Sequence, residues 1–357
     1  MNNLQKELSF LKDKKILITG NTGFKGSWLT YIISSVTKNI FGISLSENSN
    51  FTMYEKVGIK KLVKKQYFFD VSNYKKLEKT IIHIKPDYIF HLAAQSLVYK
   101  SYKNSLRTWQ SNLVGTLNLL EVLKKYKKSK NIIITSDKCY KNFELNRGYK
   151  ENDTLMGDDP YSASKSCAEI AINSYIKSFY QNDNLIVSCR AGNVIGGGDF
   201  SEKRLIPDIV KSYYKNKITS IRSLKSTRPW QHVLEPLFAY LLVAKKIDYK
   251  KINQQSFNFG PSFKNSKQVK EILNRIKKKW KIKTKISKNN FKESKLLALN
   301  CNKAKDKLHW IPTLNFNDTV DLTVDWYETF LKKPKKIHNL MDLQIKYFIS
   351  KKNDKKK

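Results

Sequence analysis

A doubly wound α/β fold, with a parallel sheet and a smaller C-terminal domain, is what this sequence predicts, and three observations predict it. Short β-branched runs of continuous apolar character alternate with helical stretches through the first half. Such runs suit strands buried on both faces, since a sheet with one wet face alternates apolar and polar residues. Directly behind the first run stands T-G-N-T-G-F-K-G, with Gly20, Gly23 and Gly26 at three-residue intervals. Beyond about Arg190 the alternation loosens into loops at Gly196–Gly198 and Arg228–Trp230, which marks a smaller lobe.

Taken in order, Lys15–Thr19 (KILIT) reads as the first strand and a segment from about Ser27 to Val36 as the first helix. Ile40–Leu45, Gln66–Phe69 and Tyr88–Leu92 read as the next three strands. A helix over about Leu106–Tyr126 precedes the strand Asn131–Thr135 (NIIIT). The helix Tyr161–Phe179 then leads into the strand Leu185–Cys189 (LIVSC). No internal repeat or low-complexity linker interrupts the series.

Composition sets the outer limits. The chain has 357 residues, 40% of them hydrophobic, enough for one large core or two linked ones. Apolar runs such as Ile132–Ile134 and Ala239–Ala244 fall far short of the ~20 residues a membrane-spanning helix needs. The N-terminal stretch lacks an apolar segment of signal-peptide length, so a cytoplasmic protein without membrane association is expected. The net charge of +38 invites a nucleic-acid reading, yet only seven basic residues are Arg against 61 Lys. Arginine is the side chain suited to bidentate phosphate and base recognition, and these lysines are scattered. They read as solvated surface that steers anionic ligands, not as a nucleic-acid site. Cys139, Cys167, Cys189 and Cys301 show neither CxxC pairing nor metal-ligand spacing with the histidines, so no metal is implied.

The glycine series opens the first strand–turn–helix unit. There, backbone N–H groups and a helix N-terminus can face a pyrophosphate that a side chain would obstruct. Its spacing is GxxGxxG, the variant of extended short-chain dehydrogenases/reductases. A carboxylate at the end of the second strand would hold the ribose of NAD, and an arginine there the 2′-phosphate of NADP. Gly42, Ile43 and Ser44 stand there and no arginine precedes Arg107, which favours NAD and leaves NADP open. Asp70 and Val71, after the third strand, suit an adenine-edge contact.

Tyr161 and Lys165, four apart in Y-S-A-S-K, share one face of a helix. A tyrosine of ordinary pKa ~10 becomes a base near neutrality only when a neighbouring ammonium favours its anion. The chain holds five Y-x-x-x-K pairs, so context selects this one: it alone starts a helix after a strand ending in T-S-D-K. That strand delivers Ser136, Asp137 and Lys138 at its C-terminal end, where open α/β sheets bind ligands. A hydroxyl, a carboxyl and an amine in sequence can bind a sugar oxygen, give a proton and take one.

With these in place, the segments GNTGFKGSWL (20–29), HLAAQSLV (91–98), TSDKCY (135–140), DPYSASK (159–165), RAGNVIGGGDF (190–200), RLIPD (204–208) and RPWQHVLEPL (228–237) together resemble the CDP-glucose 4,6-dehydratase family. CNKAKDKLHWIP (301–312) and TVDWY (323–327) extend the likeness. The resemblance implies a Rossmann-type NAD-binding domain over 1–190, to which some later segments return. It also implies a mainly substrate-binding domain over 191–345. The lysine-rich composition makes 346–357 a basic tail, whose end KKNDKKK is expected to fray in solvent. Thr22, Phe24, Leu92, Ala93, Ala94 and Gln95 join the glycines, Asp70, Val71, Tyr161 and Lys165 as cofactor contacts. Gln95, Ser136, Asn193, Arg204, Arg228 and His232 become substrate contacts. The implied reaction dehydrates a nucleotide sugar, CDP-glucose. Tyr161 takes the 4-hydroxyl proton, Lys165 favours its anion, and Ser136 bonds the same oxygen. Lys138 is the candidate to remove the C5 proton, and Asp137 protonates the departing 6-hydroxyl.

Asp137-Lys138, where related dehydratases carry Asp-Glu, argues for the CDP-glucose branch over the dTDP-glucose one. A different nucleotide-sugar 4,6-dehydratase or a UDP-sugar 4-epimerase is the rival reading, and an epimerase needs no donor for a leaving 6-hydroxyl. A basic nucleic-acid-binding protein is the rival of another class. The resemblance, not the residues themselves, implies a homodimer or homotetramer, paired through helices such as 106–126 and 161–179.

Overall fold

Five strands in the first half and two from the second make one parallel sheet. The first six strands in chain order all belong to it. They are β1 (Ile16–Thr19), β2 (Ile40–Ser44), β3 (Lys65–Phe68), β4 (Tyr88–His91), β5 (Lys130–Ile134) and β6 (Leu185–Ala191). Five shorter or later strands follow them, with β7 at Val194–Ile195, β8 at Thr219–Ile221, β9 at Thr227–Pro229, β10 at Gln231–His232 and β11 at Ser256–Phe259. Strands β12 (Ser266–Gln268) and β13 (Thr284–Ile286) complete the set. The structure is a computed structural model that describes residues 3–45, 52–145, 147–180, 184–261, 266–287 and 296–355.

The sheet order is β11-β6-β5-β4-β1-β2-β3, and every neighbouring pair is parallel. The side-chain period of two explains why its strands read as unbroken apolar runs. Ile16, Ile18, Ile132 and Ile134 point into one core, while Leu17 and Ile133 point into the other. The first core is covered by the helices Phe24–Ile33, Leu234–Lys246 and Ile337–Asp354, which contribute Trp28, Leu237 and Phe348. The second is covered by Tyr74–Ile84, Gly115–Lys125 and Pro160–Phe179, through Leu77, Leu119 and Ile172. The chain leaves β1 for β2 on one side and returns to β4 on the other, and a crevice opens at the strand ends where the order switches.

Among the described residues the chain after β6 forms no second large sheet. β7 pairs with β10, β9 with β12 and β8 with β13, each a two-stranded ribbon. β11 rejoins the main sheet next to β6.

Three elements differ from the sequence reading. The first helix begins at Phe24, three residues early, because Gly23 in extended conformation serves as its N-cap. The helix expected over 106–126 is broken by a π turn at Gln110–Val114. That extra residue turns Asn112 inward, where its side chain binds Gln95 N at 2.7 Å, Gln95 O at 3.1 Å and Ser164 Oγ at 2.9 Å. The basic tail is corrected too: residues 346–354 continue the helix Ile337–Asp354, and Phe348 and Ile349 are buried in the first core. Lysines on one side hid an apolar stripe on the other. Among the described residues no helix is long and apolar enough to cross a membrane.

Candidate active site

The ends of β1, β5 and β6 meet around one crevice. Gly20 closes β1 at φ +74°, in the left-handed region, with Ala93 N only 2.8 Å from where a Cβ would stand. At Gly26 a Cβ would lie 2.2 Å from the Gly20 carbonyl, so only glycine lets the helix start so close to the strand. Gly23 has open space apart from one oxygen at 3.3 Å. First-turn amides of Phe24–Ile33 therefore point into an unobstructed cradle of a shape that fits a dinucleotide pyrophosphate. Gly26→Ala should cost about 1–3 kcal/mol and weaken dinucleotide binding. Thermal unfolding and cofactor titration would test this; an unchanged melting temperature and affinity would show that the loop can yield.

Around the cradle, Thr22 is buried and Phe24 lies half-buried against Gly196. Leu92, Ala93 and Ala94 are half-buried, and Ala93 N bonds Thr19 Oγ1 at 3.1 Å. Asp70 accepts from Ser72 N at 2.9 Å, and Val71 packs against Gly115. At the end of β2 the described residues form a neutral cluster, with neither a carboxylate nor an arginine among them. Gln66 bonds Asn21 Nδ2 at 2.6 Å, Ser44 Oγ at 3.0 Å and Tyr54 OH at 3.0 Å.

Tyr161 stands at the start of the helix Pro160–Phe179 because the segment Asp159-Pro160 stops and starts the chain there. Asp159 Oδ1 accepts from the Tyr161 and Ser162 amides at 3.0 Å each, and Pro160 is pre-set for the first turn. Tyr161, Lys165 and Ser136 are all nearly inaccessible, at 8%, 5% and 6% exposure. Burial pushes the Tyr161 hydroxyl up to about 12, against a smaller opposing bond from Ser136, so the phenol is neutral as the site stands. Burial pushes the Lys165 amine down to about 8, with the Glu169 carboxylate opposing it. Lys165 Nζ donates to Ile134 O at 3.3 Å.

Ser136 caps the turn Asp137–Cys139, accepting from Lys138 N at 3.3 Å and donating to Asp137 Oδ1 at 3.0 Å. Asp137 is 3% exposed, and burial raises its carboxyl above the usual range. Its Oδ2 is buried with no hydrogen-bond partner, and a Cβ on Gly192 would lie 3.3 Å from it. A carboxyl held toward its neutral form, with one oxygen facing open backbone, is suited to donating a proton. Lys138 is half-buried beside it.

Of the substrate candidates, Arg204 belongs to the crevice. It bonds Asp199 Oδ2 at 3.0 Å and Ser96 O at 3.2 Å, and its charge acts on Tyr161. Asn193, just before β7, and Arg228, on β9, are half-buried; Asn193 O accepts from Gln231 N at 3.2 Å, and Arg228 bonds Thr227 O at 2.9 Å. Gln95 spends its side chain on Leu97 and Thr108, so it shapes the loop after β4. His232 is fully buried, with its ring edge-on to Trp28 at 6.5 Å and its Nδ1 accepting from Leu234 N at 3.4 Å, and burial pushes it down to about 3.

Sequence reasoning missed Lys25. It extends from the glycine loop toward Tyr240, 6.0 Å from that ring, and burial pushes its amine down to about 8. Its position inside the glycine motif was the available signal. Among the described residues no group of three or more His, Cys, Asp or Glu side chains could hold a metal ion.

A glycine cradle at the first strand turn, with a Tyr–Lys helix facing a Ser–Asp strand end, defines an oxidoreductase-type site of the nucleotide-sugar epimerase/dehydratase class. The chain belongs to the GDP-mannose 4,6 dehydratase family, whose family model matches residues 17–323. It is 37% identical over 335 residues to CDP-glucose 4,6-dehydratase of Salmonella typhimurium, covering 91% of this chain and 93% of that one. In fold it is similar to dTDP-glucose 4,6-dehydratase of Bacillus anthracis in complex with NAD, with a TM-score of 0.75, 23% identity and coverage of 91% and 99%. It is similar also to UDP-glucose 4-epimerase of Thermotoga maritima bound to UDP-glucose, with a TM-score of 0.77, 21% identity and coverage of 89% and 99%.

Proposed function

We propose that this enzyme dehydrates CDP-glucose to CDP-4-dehydro-6-deoxyglucose, with NAD held in the glycine cradle. The observation that carries the reading is the buried Asp137 carboxyl. Its burial favours the protonated form, and it sits one residue from the Ser136 hydroxyl on the strand end that faces Tyr161. An epimerase has no leaving 6-hydroxyl for such a carboxyl to protonate.

Bound NAD supplies a two-electron acceptor at sugar C4 and a donor at C6, and is regenerated in each cycle. The chain's own groups move the protons. Tyr161 takes the 4-hydroxyl proton, and Ser136 holds the same oxygen. Lys165 favours the Tyr161 anion by Coulombic attraction, offsetting the burial that keeps the free site's phenol neutral. Once C4 is a ketone, the C5 proton is acidic and Lys138 removes it, for which its amine must be neutral. Asp137 then protonates the 6-hydroxyl as it leaves. Arg204 and Arg228, with Asn193, hold the diphosphate and nucleotide, since a guanidinium pairs bidentately with phosphate.

Incubating the protein with CDP-, dTDP-, UDP- and GDP-linked sugars and assaying for a 4-keto product tests this directly. We expect product from CDP-glucose without net consumption of NAD. Stoichiometric loss of NAD, or preference for another nucleotide, would overturn the assignment. The same reading includes a homodimer or homotetramer. Leu106, Val114 and Ile170 are exposed on the helical layer over β4 and β5, which supports pairing there. A cytoplasmic location, where the four free thiols would stay reduced, belongs to it as well.

A further inference from the structure

Glu169 lies one helical turn beyond Lys165, and on the same face. It is fully buried and collects four donors. Arg190 Nη2 is 2.6 Å from Oε2, Ser188 Oγ 3.0 Å and Ser256 Oγ 3.3 Å, while Thr135 Oγ1 donates to Oε1. Arg190 is itself buried and fixed by Tyr140 OH at 2.6 Å and Glu151 O at 2.9 Å. The two side chains meet the end of β5 at adjacent residues, Lys165 at the Ile134 carbonyl and Glu169 at the Thr135 hydroxyl. So the carboxylate cannot swing away, and its distance from Lys165 is set by the helix and the strand together.

We propose that Glu169, clamped by Arg190, is a positioning residue that keeps Lys165 charged in the neutral pH range and thereby sets where Tyr161 can act as a base. The second half of that statement rests on the reaction proposed above. The groups facing Lys165 come from four elements: Glu169 on its own helix, Cys139 on the turn after β5, His91 at the end of β4 and Lys25 on the helix Phe24–Ile33. Burial holds the Cys139 thiol and the His91 ring neutral, and Lys25 repels. Facing Glu169 are Arg190, Cys189, Tyr140 and Lys303, of which the first holds it ionised and the thiol and phenol stay neutral by burial. Glu169 is thus the carboxylate that supports Lys165 against burial.

With its amine at about 8, Lys165 is mostly charged at neutrality, and a further fall carries it through neutrality. Glu169→Gln removes the support. It also leaves the Arg190 charge unpaired, which favours a Tyr161 anion, but Lys165 stands one helical turn from Tyr161 on the same face, and the loss of its charge dominates.

The test is the pH dependence of Lys165 acylation by acetic anhydride, read on its own peptide by mass spectrometry, beside the pH profile of turnover. Glu169→Gln should lower the Lys165 midpoint by about one pH unit or more and move the acid limb of turnover upward. Glu169→Asp should restore most of both. Arg190→Lys keeps a cation for Glu169, which Ser188, Ser256 and Thr135 still hold, and gives up the bonds to Tyr140 and Glu151, so it should lower stability and leave the Lys165 midpoint in place. If Glu169→Gln does not fold, E169Q/R190M removes both buried charges together and should still lower the midpoint. An unmoved midpoint, or an equal shift in Arg190→Lys, would overturn the proposal and leave the pair a structural strut. If the wild-type protein does not dehydrate CDP-glucose but the acylation midpoint moves as stated, the reaction is wrong and the role of Glu169 toward Lys165 stands.

Discussion

Tyr161→Phe should lower turnover of CDP-glucose by about 10²–10⁴-fold while leaving the Michaelis constant close to that of the wild-type enzyme. The substitution removes one oxygen from a side chain that is 8% exposed, and nothing else at the site changes volume. Burial raises the phenol, so whatever stabilises its anion during the reaction must overcome a desolvation cost that the free site does not offset. Phenylalanine has no proton to exchange and cannot use that stabilisation. Folding should survive, because the ring stays packed and the lost contact of the hydroxyl with Ser136 is worth about 1 kcal/mol. Steady-state kinetics with a thermal melt would distinguish the two contributions. Turnover within a few-fold of wild type would remove Tyr161 from the chemistry. A large fall in turnover accompanied by an equal rise in the Michaelis constant would make it a binding residue.

What the sequence made legible was local. The strands of the sheet are readable because burial on both faces leaves an apolar run such as Asn131–Thr135, with no competing pattern. Gly20 and Gly26 are readable because steric demand at a strand–helix turn admits one residue type. Asp159-Pro160 announces a helix start, and Tyr161 with Lys165 follows from the turn of that helix. What depends on distant parts of the chain was not legible. Glu169 meets Arg190 across 21 residues and Ser256 across 87, and no spacing rule predicts such partners. The π turn at Gln110–Val114 answers to Gln95 and Ser164, so the helical run over 106–126 gave no sign of it. His232 lies in a functional motif, and its full burial beside Trp28 was not readable from that motif. At 346–354 lysine density suggested a tail, because composition averages over a helix whose inner face is apolar.

Asp137→Asn should separate oxidation of the sugar from loss of its water. Oxidation at C4 uses Tyr161, Lys165 and the cofactor, whereas expulsion of hydroxide from C6 needs a proton donor as well. General-acid assistance of this kind is typically worth 10²–10⁴-fold, or roughly 3–5 kcal/mol. Asparagine preserves the size of the side chain and can still accept from Ser136 Oγ, the bond that Asp137 Oδ1 makes at 3.0 Å. It has no carboxyl proton to give. The 4-keto sugar that still carries its 6-hydroxyl should therefore accumulate, while the 6-deoxy product forms about 10²–10⁴-fold more slowly. Quenching with borodeuteride would fix deuterium at C4 of the trapped sugar, and mass spectrometry would count it. The pH profile gives a second reading. Because burial raises the Asp137 carboxyl, its protonated fraction in the wild-type enzyme persists above the usual carboxylate range and then falls, so dehydration should decline on that limb. Asparagine does not titrate, and the limb should vanish from the residual activity. The opposing account makes Asp137 a cap for the turn after β5, where Ser136 already serves as the N-cap. On that account the asparagine variant would dehydrate CDP-glucose at nearly the wild-type rate with no trapped ketone, and the proton donor would have to be sought elsewhere in the crevice.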